Sequence, residues 1–423
     1  MNYTFLTAVG IFAASYAIII SEKIHRTVVA LTGAVLMILL GIINQEKAIE
    51  GIDFNTLGLL IGMMVIVGIA KESGMFQYVA IWASKVGKGR PLPIFILLGL
   101  ITALFSAFLD NVTTVLLIVP VVFVVAHNLR LNPMPFLIGA ILLSNIGGTA
   151  TLIGDPPNIL IGSAAGIPFN DFLIHLGPVV LVIALVTVGL LALIYRNKLH
   201  TTKEAEKTIM SFNPAEAISD KPLLIKSLVV LFVVLAGFFT HTITHLEGAT
   251  IALTGAALLL LLTMNDPEPH LRDVEWTTIF FFVGLFVLVA GLEHVGAIKM
   301  LAELLLKATG GEATATTLAI LWGSAFFSAI IDNIPFVATM IPLIKEVGSI
   351  SGLDLAPLWW ALALGADIGG NATIIGASAN VVVSGMAAKE GHKISFIEYM
   401  KIATPLTIVG LIIATVYMYM RYL

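Results

Sequence analysis

Two aspartate–asparagine pairs stand in the most apolar stretches of the chain. Asp110 and Asn111 lie in S-A-F-L-D-N-V-T-T, and Asp332 and Asn333 lie in S-A-I-I-D-N-I-P-F. An ionised carboxylate at the centre of a bilayer costs about 3 kcal/mol or more, so such residues mark ion or substrate pathways. Burial also favours the neutral form of a carboxylate, which suits a proton carrier. We therefore predict that Asp110 and Asp332 couple transport to a proton or a cation.

Each pair is followed by a glycine-rich sequence, I-G-G-T-A-T-L-I-G at 146–154 and I-G-G-N-A-T-I-I-G at 368–376. Unpaired backbone groups are tolerated at membrane depth only where they line a cavity or the protein interior. These sequences therefore predict two broken helices whose free ends face a small solute. The predicted substrate-binding residues are Asn111, Thr113, Thr114, Asn333, Gly147, Gly148, Thr149, Thr151, Asn158, Gly369, Gly370, Asn371, Thr373 and Asn380.

Other acidic residues leave the interpretation open. A single buried aspartate can serve as a structural hydrogen-bonding group, although the duplication of the pair argues against this for Asp110. Asp155 and Asp367 have no acidic counterpart in the repeat described below, where Ala377 and Asn145 take their places. For these two, structural and functional roles are equally compatible with the sequence.

The composition indicates that the chain is a polytopic α-helical membrane protein. Its 423 residues are 58% hydrophobic and 11% charged, with a mean hydropathy of +1.02, whereas soluble proteins carry roughly a quarter charged residues. The net charge of −4 says nothing about partners, whereas the lack of a basic patch with interleaved aromatic residues argues against nucleic acid. Without cysteine there is no thiolate metal site. We predict no enzymatic activity, cofactor or metal centre, and interpret residues 5–20 as a membrane helix, not a signal peptide.

The chain contains one unit twice. Asp110 aligns with Asp332 at an offset of 222, and at the same offset A-L-T-G-A at 30–34 meets A-L-T-G-A at 252–256. Gly62 meets Gly284 and the two glycine-rich sequences also align, so the register is constant over about 130 residues. The register later slips by five, where Pro178 meets Pro405. This pattern indicates an internal duplication.

Each unit is predicted to contain five crossings and one re-entrant hairpin. In the first unit we expect helices near 5–20, 28–43, 56–70 and 176–195, and a broken helix near 134–164. The stretch 93–127 has flanks of only about 15 residues on each side of Asp110, which is short for a crossing. An odd number of crossings inverts the second copy, as in secondary transporters. The predicted units are 1–195 and 227–423, joined by a cytoplasmic linker at 196–226.

Loop charge sets the orientation, because cytoplasmic loops are rich in lysine and arginine. Four basic segments fall on one side in this scheme: 21–27, 71–90, 196–226 and 389–401. Both termini are therefore predicted to lie outside. Lys299, Lys307 and Lys345 fall on the outer side and count against this orientation, although we assign the first two to an amphipathic surface helix.

The motifs S-x-F-L-D-N-V-T-T-x-L-L-x-x-P and N-I-G-G-T-A-T-L-I-G-D-P-P-N resemble those of the ArsB/NhaD permeases of the ion transporter superfamily, over nearly the whole chain and most closely the P-protein-like branch. The resemblance implies scaffold and transport helices, paired hairpins, and sites between hairpin tips and broken helices. In the dicarboxylate branch the hairpin tips carry S-N-T. Aspartate in place of that serine argues against a di-anionic substrate.

The predicted function is efflux of arsenite or antimonite by proton antiport. Arsenite at neutral pH is the uncharged As(OH)3, which suits a pocket of amides, hydroxyls and backbone groups. The alternatives are a Na⁺/H⁺ antiporter of the NhaD type, another small-anion permease, and a passive channel, against which the paired hairpins argue. The predicted partners are the solutes As(OH)3 and Sb(OH)3, H⁺ and the bilayer of an inner membrane. The resemblance adds a soluble ATPase subunit and a second copy of the chain as candidates.

Overall fold

The computed structural model describes residues 3–21, 23–264 and 266–423. All regular secondary structure in these ranges is helical. Ten of the helices are long and apolar enough to cross a membrane by length and composition. The predicted fold class, an all-α polytopic membrane protein, is confirmed.

The first half of the chain contributes eleven helices within the described ranges. In chain order they are α1 (Tyr3–Ser21), α2 (Arg26–Leu39), α3 (Gln45–Glu50), α4 (Phe54–Glu72), α5 (Met75–Val86), α6 (Pro91–Leu109), α7 (Asn111–Asn128), α8 (Met134–Gly148), α9 (Pro156–Ala165), α10 (Phe169–His175) and α11 (Gly177–Tyr195). The linker carries α12 (Lys203–Ser211) and a 3₁₀ turn at Pro214–Ala217.

The second half repeats this order. Its helices are α13 (Lys221–Thr244), α14 (Gly248–Thr263), α15 (Pro267–Arg272), α16 (Trp276–His294), α17 (Ala297–Thr309), α18 (Ala313–Ile330), α19 (Asn333–Ser351), α20 (Ala356–Gly369), α21 (Ser378–Lys389) and α22 (Phe396–Arg421), with a 3₁₀ turn at Gly370–Ala372. Adding 222 to the bounds of α4 gives those of α16. After the register slips to an offset of 227, the equivalents of α10 and α11 both lie within the single long helix α22.

The helices α6 and α7 fold back on each other as a hairpin. The backbone of Gly89, just before α6, lies against Glu206 in α12, and a Cβ at Gly89 would be 2.7 Å from the Glu206 carbonyl oxygen. The end of α7 meets the same linker, because the hydroxyl of Thr201 donates to the carbonyl of Leu129. Two helices of this length in line would place these ends roughly 55 Å apart. Both ends of the hairpin therefore lie on one side of the molecule.

The two halves interlock through equivalent contacts. The helix α4 packs against α14, and α16 packs against α2. A Cβ at Gly62 would lie 2.6 Å from the carbonyl carbon of Ala252, and a Cβ at Gly284 would lie 2.6 Å from that of Ala30. Likewise α9 contacts α19, and α21 contacts α7. A two-fold rotation that relates the two halves would produce such equivalent contacts.

Some predicted bounds differ from the structure. The hairpin legs α6 and α7 have 19 and 18 residues instead of about 15. Pro91 begins α6 directly after Arg90, and α7 continues beyond Pro120. The helix predicted at 28–43 is Arg26–Leu39, and α13 begins at Lys221 inside the predicted linker. The predicted surface helix is α17, whose buried residues lie on one face while Lys299 and Lys307 are exposed.

Candidate functional site

The two broken helices are held by one asparagine each. The chain leaves α8 at Gly148 and enters α9 at Pro156. The side-chain amide of Asn158 donates to the backbone oxygens of Gly148 and Thr149 at 3.3 Å and of Thr151 at 3.1 Å. These carbonyls have lost their helical partners at the break. The amide nitrogen of Asn158 therefore stabilises the break by binding its free carbonyl groups.

The second broken helix repeats this arrangement. The amide of Asn380 donates to the backbone oxygens of Gly370 and Thr373, both at 2.8 Å. Asn158 and Asn380 are both fully buried. Both asparagines were predicted as substrate-binding residues, and in this structure their amide nitrogens donate to the backbone of the broken helices.

The hairpins pack directly on the breaks. A Cβ at Gly147 would lie 2.1 Å from the carbonyl oxygen of Ala103 in α6, and a Cβ at Gly369 would lie 2.4 Å from the Cα of Ala325 in α18. No larger residue fits at such distances, since a real Cβ contact below 3.0 Å requires the backbone to shift. Glycine at these two positions therefore allows the close approach of hairpin and broken helix.

Threonines of the breaks also bind the hairpins. Thr151 donates to the carbonyl of Ala107, and Thr373 donates to the carbonyl of Ala329 at 2.6 Å. The hydroxyl of Thr149 donates to the carbonyl of Asn145 at 2.9 Å. All three were predicted as solute contacts, and in this structure their hydroxyls donate to backbone carbonyls of the protein.

The tip of the first hairpin is capped by its own aspartate. Asp110 has φ +81°, an uncommon value for a residue other than glycine. Its carboxylate accepts from the backbone N–H of Val112 at 2.9 Å and of Thr113 at 3.3 Å, and from the hydroxyl of Thr113. These are the contacts of a helix N-cap, and they satisfy orphan donors at the start of α7. Every hydrogen-bond partner of the Asp110 carboxylate among the described residues therefore comes from the next three residues.

The tip of the second hairpin is bound by distant residues. The carboxylate of Asp332 accepts from Nη1 of Arg26 at 2.5 Å and from the hydroxyl of Ser378 at 2.8 Å. The same Nη1 donates to Ser378 Oγ at 2.8 Å, and the guanidinium lies 4.9 Å from the ring centroid of Phe281. The two side chains of the ion pair are only 27% and 13% exposed. This cluster joins α2, α19 and α21, and it lines a cavity of about 370 Å³.

Asp155 joins the two hairpin tips. Its carboxylate accepts from the amide of Asn111 at 2.6 Å and from the amide of Asn333 at 3.4 Å. It is 1% exposed and stands at the start of α9, within electrostatic reach of Asp110, Asp332 and Asp367. One carboxylate from the first broken helix thus receives a hydrogen bond from each half.

An amide network continues from this point into the second half. The nitrogen of Asn111 also donates to Asn145 Oδ1 at 3.1 Å. Asn145 in turn donates to the side-chain oxygens of Asn371 at 2.9 Å and Asn380 at 2.7 Å. All four amides are at most 2% exposed. Asn111, Asn333, Asn371 and Asn380, predicted separately, therefore belong to one buried polar centre.

Several buried oxygens of this centre have no hydrogen-bond partner among the described residues. They are both carboxylate oxygens of Asp367, the side-chain oxygens of Asn111 and Asn158, and the hydroxyl of Thr114. Buried polar groups are normally paired, and each unpaired one costs about 1–3 kcal/mol. A bound proton, cation or hydroxylated solute would consequently form its most favourable new contacts with these atoms.

Sequence reasoning missed two members of the centre and left two others open. Arg26 was assigned to a loop charge, and no local signal connects it to Asp332, 306 residues away. Asn145 was noted only as the counterpart of Asp367. Asp155 and Asp367 were left open, although their lack of an acidic repeat partner was a usable signal, because a departure from a repeat marks a position with its own role.

Two hairpins that meet two broken helices at a buried carboxylate and amide centre define a membrane transporter. The profile of the CitMHS family, described as "Citrate transporter", matches residues 16–365. The chain belongs to this family. The finer assignment to ArsB/NhaD permeases remains a prediction.

Relatives with curated descriptions cover nearly the whole chain. The "Uncharacterized transporter Rv2684" of Mycobacterium tuberculosis is 44% identical over 425 residues, which are 99% of this chain and 98% of that protein. The P protein of Homo sapiens is 36% identical over 97% of this chain, and the match spans 59% of the P protein. The predicted resemblance to the P protein is thus confirmed.

Two solved transporters share the fold. The YdaH transporter of Alcanivorax borkumensis superposes with a TM-score of 0.60 at 15% identity, over 99% of this chain and 98% of that chain. MtrF of Neisseria gonorrhoeae, described with a class of antimetabolite efflux pumps, gives 0.62 at 12% identity, over 100% and 95%. At these identities the likeness concerns the fold alone.

Proposed function

We propose that this protein is a secondary active transporter that exports arsenite or antimonite in exchange for protons. The observation that carries this proposal is the charge of the buried centre. Four carboxylates, Asp110, Asp155, Asp332 and Asp367, lie close together, and Arg26, the cation that lines the cavity at the second tip, is already paired with Asp332. Such a centre repels a bare anion and favours an uncharged or cationic solute.

The remaining groups of the centre suit a small trihydroxide. Asn111, Thr114 and Asn158 present unpaired oxygens that accept hydrogen bonds from the hydroxyls of As(OH)3. A buried carboxylate without a counter-charge is stabilised by a proton. Exchange of that proton for the solute links uptake of H⁺ to export.

A Na⁺/H⁺ antiporter is the second candidate, and the unpaired carboxylate oxygens of Asp367 favour it. Hard monovalent cations prefer oxygen ligands, and the polar groups of the centre present oxygen atoms and no sulfur, since the sequence has no cysteine. Sodium and protons would then compete for the same carboxylates. The two candidates differ in the solute that moves protons, which makes them separable by one experiment.

The test uses proteoliposomes with a pH-sensitive dye inside and an imposed proton gradient. Arsenite, antimonite, Na⁺, Li⁺ and citrate are added in turn to the wild type, to Asp110→Asn and Asp332→Asn, and to the exposed control Asp273→Asn. We expect arsenite or antimonite to move protons in the wild type and in the control, with loss of the signal in at least one hairpin variant. A response to Na⁺ or Li⁺ alone would establish the second candidate. A response to citrate alone would overturn the argument from charge.

We also propose that the second half is inverted relative to the first, with both termini outside an inner membrane. The natural absence of cysteine makes this testable with single-cysteine variants. Lys203 in the linker and Asp354 after the second hairpin are both exposed. A membrane-impermeant maleimide added to intact cells should label Asp354→Cys and spare Lys203→Cys. Labelling of both, or of neither until the cells are lysed, would contradict the inverted arrangement.

A further inference from the structure

The cavity beside the second hairpin tip, of about 370 Å³, carries a single ion pair in its lining. Among the described residues that line it, Arg26 is the one lysine or arginine and Asp332 is the one acidic residue. Both side chains are partly exposed, so a solute in the cavity can reach them. Most of the remaining lining is isoleucine and valine. Whether this cavity is neutral or negative therefore depends on Arg26.

The guanidinium of Arg26 is held beside the carboxylate by three groups. Its Nη1 donates to Oδ2 of Asp332 at 2.5 Å and to the hydroxyl oxygen of Ser378 at 2.8 Å. Its central carbon lies 4.9 Å from the ring centroid of Phe281, a distance at which the face of an aromatic ring attracts a cation. These contacts fix the positive charge next to Asp332.

The oxygens of the Asp332 carboxylate are both occupied. Besides Arg26, Oδ2 accepts from the hydroxyl of Ser378 at 2.8 Å, and Oδ1 accepts from the N–H of Ile334 at 3.1 Å. The neighbouring His25 is engaged elsewhere, because its Nδ1 accepts from a backbone N–H at the start of α2 at 3.3 Å. A free cation that bound Asp332 would therefore have to displace these donors and lie beside the fixed charge of Arg26.

The other half has no equivalent of this cation. The positions equivalent to Arg26, Ser378 and Phe281 at the offset of 222 are Gly248, Pro156 and Leu59. None of these three side chains carries a charge, donates a hydrogen bond or offers an aromatic face. The cation, its hydrogen-bond partner and its aromatic support therefore occur together at one tip and are all replaced at the other.

A carboxylate whose charge is already balanced attracts a second cation only weakly, and a fixed like charge repels it. We infer that Arg26 is a specificity-determining residue: its guanidinium is the built-in counter-ion of Asp332, excludes monovalent cations such as Na⁺ from this carboxylate, and leaves the cavity to uncharged solutes. The exclusion of cations is independent of the proposed function, whereas the link to the transported solute rests on it.

The first test measures thermal unfolding of the purified protein in detergent, in NaCl and in choline chloride of equal ionic strength. In Arg26→Gln the Asp332 carboxylate is left without its counter-ion, so Na⁺ should bind there and raise Tm by about 2 °C or more relative to choline. The wild type, Arg26→Lys, which keeps the positive charge, and Arg26→Gln with Asp332→Asn, which removes the negative charge, should all show a smaller and similar difference between the two salts.

The same measurements can overturn the inference. A folded Arg26→Gln that responds to Na⁺ as the wild type does would show that Arg26 does not exclude this ion. A gain that persists in the double variant would place the new sodium ion away from Asp332. If Arg26→Gln unfolds during purification in choline, Na⁺ should recover folded protein in size-exclusion chromatography, and a lack of recovery would also contradict the inference.

Transport separates this inference from the proposed function. In the proteoliposome experiment, Arg26→Gln should respond less to arsenite and antimonite and more to Na⁺ or Li⁺ than the wild type. If Arg26→Gln gains Na⁺ binding but the wild type moves protons with no tested solute, the proposed function fails and the exclusion of cations stands. If the wild type responds to arsenite and Arg26→Gln gains neither Na⁺ binding nor a Na⁺ response, the proposed function stands and the inference is wrong.

Discussion

The two hairpin tips share the sequence Asp-Asn and differ in what binds the aspartate. Asp332 is tied to Arg26 and Ser378, which lie on α2 and α21. The equivalent positions of these partners in the other half are Gly248 and Pro156, which cannot make such bonds. Both aspartates also cap the helix that follows them, since Asp332 accepts from the N–H of Ile334 and Asp110 accepts from the N–H of Val112 and Thr113. Asp110 has no distant partner among the described residues, and its further donor is the hydroxyl of Thr113. Duplication has thus preserved the carboxylates while their partners have diverged.

The two tips therefore differ in how their aspartates are held. The carboxylate of Asp332 has the Arg26 cation beside it, so its negative charge is balanced. The side-chain hydrogen bonds of Asp110 all lie within its own hairpin.

The largest difference between the halves should come from Arg26. In Arg26→Gln the carboxylate of Asp332 is left without its cation. Breaking a fully buried pair costs roughly 3–5 kcal/mol, and the partial exposure of this pair lowers the expected loss to about 2–3 kcal/mol. Unfolding in mixed detergent micelles measures it. Lys23→Gln, at an exposed position three residues before Arg26, should change stability by less than about 0.5 kcal/mol.

A double-mutant cycle sharpens this prediction. In Arg26→Gln with Asp332→Asn the unpaired charge is gone, so the double variant should be more stable than Arg26→Gln alone. Additive losses in the cycle would show that the two side chains do not interact, in contradiction to the 2.5 Å contact.

The two tip asparagines should differ by a smaller amount. Asn111 donates to Asp155 at 2.6 Å, whereas Asn333 donates to it at 3.4 Å. Hydrogen bonds to charged groups contribute about 1.5–3 kcal/mol when well formed. We expect Asn111→Ala to lose a value in this range and Asn333→Ala to lose about 1 kcal/mol or less. Equal losses in the same unfolding assay would indicate that Asp155 is shared equally.

Thr113 should have a modest effect that has no equivalent in the second hairpin, where Pro335 takes its place. Thr113→Val removes the hydroxyl donor of Asp110 but keeps the backbone donors of Val112 and residue 113. The expected loss of stability is about 1 kcal/mol. Thr113→Ser, which keeps a hydroxyl, is the matched control and should recover most of it. A loss as large as that of Arg26→Gln would mean that the first tip depends on this single bond.

The smallest difference is expected where the halves are alike. Gly62→Ala and Gly284→Ala each place a Cβ 2.6 Å from a backbone carbon of the partner helix. Overpacking of this kind costs about 1–3 kcal/mol. The two variants should be equally destabilised, and Gly10→Ala, with open space around it, should be neutral. A clear inequality between Gly62 and Gly284 would show that the two crossings are not equivalent.

The sequence predicts the fold well because the repeat supplies a second, independent copy of each signal. The break after Gly148 and the hairpin turn at Asp110 both occur where glycine and polar residues recur at an offset of 222. The contacts of the centre could not be predicted in the same way. Arg26 and Asp332 come together only through packing of α2 against the second half. Asp155 departs from the repeat, so the repeat gave no indication that both tips bind it.

The crossing of the halves has a consequence for biosynthesis. Ala30 in α2 packs on Gly284, and Gly62 in α4 packs on Ala252, so these early helices meet their partners only after 254 and 190 further residues have been made. At about 5–20 residues per second, the wait is roughly 10–50 s. During this time the small-residue faces of α2 and α4 are exposed to lipid or to the insertion machinery. Completion of the transporter is therefore timed by the ribosome, and a stall between the halves would leave a membrane-inserted fragment without its packing partner.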